Sequence, residues 1–348
     1  MKARHILHAT AVFALACLSF CELHAQTMDE LNLKIKQLEA KNSSLEAKVK
    51  SLQKGNKKNS VEAMQQMQEL QDENAVLSHE IQRIRQEEQD KADAEEKSKT
   101  VKIDVKDPVL KEYLLRYCDM DGDGVLSQWD AEHTYVIDFG RDKSLLKKLN
   151  NTKDVNSLDG IEHFVNLRRL VCTGNSIPNI NLSQNVQLET LIANSCELKL
   201  LDVSKNVNLK QLECCDNMLY TIDLKGCPNL KTINLYKNKM TAIDLSACSQ
   251  LKNLICSDNT LTTLDVSKNV ELEGLDCSNN QLVQLSLVNN GKLVDINCSS
   301  NSLTSVDLQN GCDIKYIDCS RNKNLEFVIL SKGKRALSDK KDGKTKYK

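Results

Sequence analysis

Leu251-Lys252-Asn253-Leu254-Ile255-Cys256-Ser257-Asp258-Asn259-Thr260-Leu261-Thr262-Thr263-Leu264-Asp265-Val266-Ser267-Lys268-Asn269-Val270-Glu271 is one statement of a 21-residue unit that the chain writes eight times. Copies begin at Leu167, Leu188, Leu209, Leu230, Leu251, Leu272, Leu293 and Ile314. The sixth place holds Cys172, Ala193, Cys214, Leu235, Cys256, Cys277, Cys298 and Cys319, and the ninth is asparagine in every copy but the second, which has Cys196. The register slips only in the last copy, which is stretched by one residue after Asn322. One such unit cannot bury its own apolar face, so neighbours must stack and bury it for each other. The repeats therefore predict a solenoid over residues 167–330.

Eight copies with leucine or another apolar residue at the first, fourth, eleventh and fourteenth places, allowing for the extra residue of the last copy, resemble the leucine-rich repeat family, in the short cysteine-ladder form of some bacterial internalins. The resemblance implies an α/β horseshoe of eight repeats, a helical N-terminal cap, and protein binding or adhesion rather than catalysis. Within a unit the fourth and sixth places point inward from a short strand, and the third, fifth and seventh face out on the concave sheet. That outward row supplies the candidate partner-binding residues Arg169, Ile192, Glu213, Tyr236, Ile255, Asp276, Asp295, Tyr316 and Asp318. Its apolar members lie toward the first half and its carboxylates toward the second, which suits a protein partner with a basic patch beside a small apolar one. A solvated sheet face with no ligand is the competing reading.

The sixth-place thiols would form a buried column of free cysteines, since stacked parallel side chains do not point at one another. Cys227 and Cys248, both at the nineteenth place, are the pair best placed to oxidise. Asparagine at the ninth place turns the chain and bonds its backbone. Asp202, Asp223, Asp244, Asp265 and Asp307, at the fifteenth, cap backbone donors in the next turn.

Upstream, Asp119-Met120-Asp121-Gly122-Asp123-Gly124-Val125-Leu126-Ser127-Gln128-Trp129-Asp130 looks like an EF-hand calcium loop. Asp119, Asp121, Asp123, the Val125 carbonyl, Ser127 through water and Asp130 are the expected oxygen ligands. Aspartate in place of glutamate at the twelfth position predicts weak Ca2+ affinity. An Asp/Gly turn that binds nothing is the alternative, and Ser127 with Asp130 also forms a capping-box pattern. Asp107 before Pro108 is a helix start, Val136-Ile137-Asp138-Phe139 a strand, and Leu158, Ile161 and Phe164 lead into the repeats. Residues 107–166 are thus expected to cap the array.

Residues 28–99 carry heptads in two blocks and end in a charge-rich linker from Glu87, with Leu31, Leu38, Leu45, Leu52, Leu70, Leu77 and Ile84 at d and Ile35, Asn42, Val49, Met67, Asn74 and Ile81 at a. The seam predicts a coiled coil, and the pairs Lys34 with Glu39, Lys41 with Glu46 and Glu80 with Arg85 suit a parallel homodimer. The competing arrangement is a helix folding back on its own chain. Residues 1–25 pair Lys2 and Arg4 with an apolar run, a signal-peptide pattern that predicts export to the cell surface, the exterior or the periplasm. Cys17 and Cys21 leave a lipoprotein anchor as the alternative. The tail 331–348 holds eight lysines or arginines and little that is apolar, which predicts disorder.

A net charge of −1, from 47 basic and 48 acidic side chains, argues against a nucleic-acid partner. No apolar run outside the leader is long enough to span a membrane. Beyond the leader only His79, His133 and His163 remain, without a phosphate loop, nucleophile elbow or zinc pair, so an enzyme is not expected. The sequence thus predicts an exported recognition protein. The alternative is a structural envelope scaffold assembled through its coiled coil.

Overall fold

The computed structural model describes residues 33, 35–41, 43, 44, 46, 47, 61–140, 154–309, 313–332 and 338–347. The export leader 1–25, the a and d residues Leu31, Asn42, Leu45, Val49 and Leu52, and the charged residue Lys34 lie outside them. The chain divides into two compact units, 1–98 and 99–348.

In the first unit the described residues of 33–47 are helical, and α1 runs Val61–Thr100. Ile35, Leu77, Ile81 and Ile84 are buried although only one chain is present. The Arg85 guanidinium contacts the Glu39 carboxylate, 46 residues earlier. A continuous helix would hold those two residues about 70 Å apart at ~1.5 Å per residue, so the chain doubles back between them. These four seam residues are thus covered by their own chain. Arg85, expected to pair with Glu80 across a parallel homodimer, meets Glu39 within the single chain. A narrow apolar stripe needs a second stripe to cover it, and one lying in the same chain has a far higher effective concentration than one in a second molecule.

In the second unit α2, Pro108–Tyr117, begins as its sequence dictates. Asp107 caps it by accepting the N–H groups of Val109 at 2.9 Å and Leu110 at 3.0 Å, with proline in the first turn. The other Asp107 oxygen accepts from Asn156 N–H at 2.8 Å, tying the helix start to the segment that enters the repeats. Five-residue α3, Gln128–Glu132, follows the acidic loop. Strand β1, Val136–Asp138, pairs in parallel with the first repeat strand β2, Arg169–Val171. Leu110, Leu114, Ile137, Ile161 and Phe164 join one continuous core with Leu167, Leu170 and every later turn.

The repeats add β3 Thr190–Ile192, β4 Gln211–Glu213, β5 Thr232–Asn234, β6 Asn253–Ile255, β7 Gly274–Asp276, β8 Leu285–Ser286, β9 Asp295–Asn297, β10 Ser305–Leu308, β11 Tyr316–Asp318, β12 Phe327–Leu330, β13 Ser338–Lys340 and β14 Lys346–Tyr347. One parallel sheet of ten strands runs β1-β2-β3-β4-β5-β6-β7-β9-β11-β13. Leu170, Leu191, Leu212, Ile233, Leu254, Leu275, Ile296 and Ile317 stand in register along it, all buried. A second sheet, β14-β12-β10-β8, closes the opposite wall of the last turns only.

The tail departs from the sequence expectation. Residues 338–347 are not disordered but form a further turn: β13 pairs with β11 and β14 with β12. Thr345 is buried and its hydroxyl donates to the Leu325 carbonyl at 3.0 Å, while Arg321 N–H reaches Asp342 at 3.1 Å. The eighth turn leaves unpaired strand edges and an open core end, and even a basic segment is recruited when it can satisfy them. Asp339 falls opposite buried Ile317 and takes the Tyr347 hydroxyl at 2.9 Å, so the array ends on a polar turn.

Candidate functional site on the concave sheet

Each strand is short because its backbone is redirected at once. The eighth place of every copy (Gly174, Ser195, Asp216, Lys237, Asp258, Asn279, Ser300, Arg321) has positive φ between 52° and 77°. The ninth-place asparagine follows and holds the turn. Asn259 Nδ2 donates to the Leu235, Cys256 and Ser257 carbonyls at 2.9–3.1 Å, and its Oδ1 accepts from Met240 N–H at 3.0 Å. Asn217, Asn238, Asn280, Asn301 and Asn322 repeat the pattern.

The second copy solves the same problem without an amide. The Cys196 thiol donates to the Cys172 carbonyl at 3.1 Å, but sulfur offers nothing for Ile177 N–H, which bonds the Cys196 carbonyl at 3.0 Å instead. Turning that carbonyl inward goes with a positive φ of 64° at Glu197, whose counterparts in other copies are not left-handed. A second ladder at the nineteenth place was only partly legible in sequence. Asn185, Asn206, Asn269 and Asn290 each donate to two carbonyls of the preceding turn, and Cys227 stands in their column with its thiol 3.3 Å from the Val203 carbonyl.

Among the described residues no thiol is in a disulfide, and all but that of Cys215 are buried. Burial pushes Cys256 and Cys248 up to about 12 and Cys227 and Cys319 up to about 11. A hydrogen bond with Cys196, together with burial, also raises Cys172 well above the usual thiol range. At neutral pH these groups are protonated and behave as small hydrophobes. The fifteenth-place aspartates cap the turn as expected: Asp202, Asp223, Asp244, Asp265 and Asp307 accept from the N–H two residues on at 2.8–3.0 Å.

On this scaffold the outward row is displayed as predicted. Arg169, Ile192, Glu213, Ile255, Asp276, Tyr316 and Asp318 are half-buried on their strands, and Asp295 is exposed. Tyr236 stands two residues beyond β5 and is 40% exposed. A hydrogen bond with Asp258 raises its hydroxyl pKa, and Lys237 beside it pairs with Asp216 at 2.7 Å. Val171 does not contribute to the apolar part of the row, because it is buried with Gly140 packed against it. A depression of about 320 Å³ lies over β6, β7, β9 and β11.

The acidic loop is only half as expected. Carboxylate oxygens of Asp119, Asp121 and Asp123 converge within 4.8 Å. Asp119 accepts from Gly122 and Gly124 N–H at 2.8 and 2.9 Å, and both glycines have the positive φ that the turn requires. Asp130 and Ser127 do not join them. Asp130 is fully buried, taking Met120 N–H on one oxygen and the Ser127 N–H and hydroxyl on the other, and Ser127 is buried with it in the capping box. Asp130 thus serves the capping box that its spacing from Ser127 also predicted.

The chain is a parallel β-solenoid similar in structure to the functional domain of InlJ from Listeria monocytogenes, a domain that includes a cysteine ladder. The two share 25% identity with a TM-score of 0.50, over 69% of this chain and 61% of that one, so this chain spans about three fifths of that domain's length. An internalin, inlF, from L. monocytogenes str. 4b matches at 16% identity over 69% of this chain and 94% of its own, with a TM-score of 0.34. No protein-family model and no curated protein matches the sequence. No helix among the described residues is long and apolar enough to cross a membrane.

Proposed function

We propose that this is an exported, non-enzymatic recognition protein whose concave sheet binds a protein partner. One observation carries the reading. Inward places repeat leucine and cysteine turn after turn, whereas the outward row changes chemistry from strand to strand, from Arg169 and Ile192 through Glu213 and Tyr236 to Asp276, Asp295 and Asp318. A face that only met water would need no such sequence of apolar, aromatic and charged groups on one rigid surface. Rigid display of varied side chains is what binding surfaces use to limit the entropy lost on association. The InlJ likeness supports the reading at the level of fold.

The helical unit serves as a spacer, and residues 107–166 close the first turn of the array. Asp119, Asp121 and Asp123, with water completing the shell, hold a weakly bound Ca2+ that braces the loop before α3. Isothermal titration of Ca2+ into the full chain and into an Asp121→Asn variant tests that brace. The recognition reading is tested by affinity capture from envelope and host-surface extracts, using the full chain and an Ile192→Ala/Glu213→Ala/Tyr236→Ala variant. A partner held by the parent and lost by the variant is the expected result. A partner held equally by both refutes the concave face, and capture by residues 28–99 alone would favour the scaffold reading.

A further inference from the structure

The row is interrupted at one strand. Asn253, Gly274, Asp295 and Tyr316 occupy the same outward place on successive strands, and only β7 offers no side chain there. With neighbouring strands ~4.8 Å apart, the missing side chain opens a notch about 10 Å across between Asn253 and Asp295. Asn253 leans over it, since a Cβ on Gly274 would lie 2.8 Å from the Asn253 amide oxygen. This notch forms part of the 320 Å³ depression.

Its lining is acceptor-rich. One Asp276 oxygen takes the N–H and hydroxyl of Ser278, at 3.0 and 2.6 Å, and the other is left for a ligand. Among the described residues no cation is paired with Asp276 or Asp295, although the flanks of the solenoid pair their carboxylates with lysines at Glu189, Asp216, Glu271 and Glu273. One rung further on, the same combination of ring and carboxylate already holds an ammonium. Lys340 Nζ lies 5.9 Å from the centre of the Tyr316 ring and 3.8 Å from Asp318. That intramolecular contact shows which chemistry this end of the sheet accepts.

The geometry points to the Gly274 notch as the specificity pocket of the concave face, taking a lysine or arginine side chain from the partner polypeptide. The inference rests on the recognition reading and adds its partner chemistry. Asp295 and the free Asp276 oxygen would receive the charged end, the Asn253 amide oxygen a further N–H, and Tyr316 and Ile255 the aliphatic stem. A planar guanidinium satisfies several acceptors at once, with charge-assisted bonds roughly twice as strong as neutral ones. A neutral sugar would also find amides and an aromatic ring here, but would leave two carboxylates without a counter-charge, so the cationic side chain is favoured.

The probe is a pooled seven-residue peptide with a central arginine among randomised neutral residues, titrated into the full chain by ligand-observed NMR. Its control replaces arginine by citrulline, which keeps the shape and removes the charge. Arginine peptides are expected to bind at least tenfold more tightly than citrulline peptides, and more weakly as salt rises. Asp295→Asn, a change at an exposed position, should abolish the difference. Gly274→Val should block binding, its new side chain meeting only the movable end of Asn253. Equal binding of arginine and citrulline, retention by both variants, no peptide binding, or preference for a neutral oligosaccharide over the arginine pool would overturn the proposal. Those results would leave the recognition reading to the Ile192/Glu213/Tyr236 capture experiment, which does not touch the notch.

Discussion

Replacing Asn259 by alanine tests whether the asparagine ladder holds the solenoid together. The three carbonyls served by its Nδ2 each keep a second donor: Leu235 keeps Asn238, Cys256 keeps Asn280, and Ser257 keeps Lys237 N–H. Met240 N–H has no other acceptor and is left bare in a buried site. An orphaned buried donor costs about 1–3 kcal/mol and each lost bond several tenths more, so a loss of about 3 kcal/mol is expected. Against a typical domain stability of roughly 5–15 kcal/mol this is a large fraction. Urea unfolding of the full chain by circular dichroism would read it as a lower midpoint at unchanged slope. Amide exchange should speed up at Met240 in particular. A loss below ~1 kcal/mol, or an unchanged Met240 exchange rate, would refute the argument, because the bare N–H would then have found another partner.

Cys196→Asn should stabilise the chain by about 1 kcal/mol, since an amide can accept from Ile177 N–H and release Glu197 from its left-handed backbone, and a loss of more than that in the same urea assay would contradict the account. Truncation after Ser331 should lower the thermal midpoint by several degrees by opening the eighth turn, whereas a disordered tail would leave it unchanged. Acid should destabilise only at low pH. Ser204 N–H holds the Asp202 carboxylate below its usual 3.8, and the Ser246 and Ser267 hydroxyls and N–H groups do the same for Asp244 and Asp265. Depressed folded pKa values contribute stability that is complete above about pH 4 and lost as pH falls through them, so the melting temperature should be flat from pH 7 to 5 and decline below 4; a decline centred near pH 6 would rule these carboxylates out.

Most of the solenoid was legible because its signals are periodic. A 21-residue spacing fixes which side chains face inward, and the structure places those leucines and cysteines in buried columns. The ninth-place asparagines and fifteenth-place aspartates were readable for the same reason, since each bonds backbone only a few residues or one turn away. The outward row was readable as a list of residues. Its shape was not: the notch exists because Gly274 lies between Asn253 and Asp295 across strands, and Val171 is lost to the row because Gly140 covers it.

The sequence by itself determined the repeat, its inward and outward faces, the free thiol column and the cap of α2 at Asp107, all of which follow from local chemistry repeated at fixed spacing. Tertiary structure alone decided three things: that Arg85 turns to Glu39 of its own chain, that Cys196 borrows its own carbonyl for the missing amide oxygen, and that a basic tail becomes the last turn. Each is a contest for a buried apolar surface or an unpaired backbone group, and its winner depends on what else lies within reach once the chain has folded.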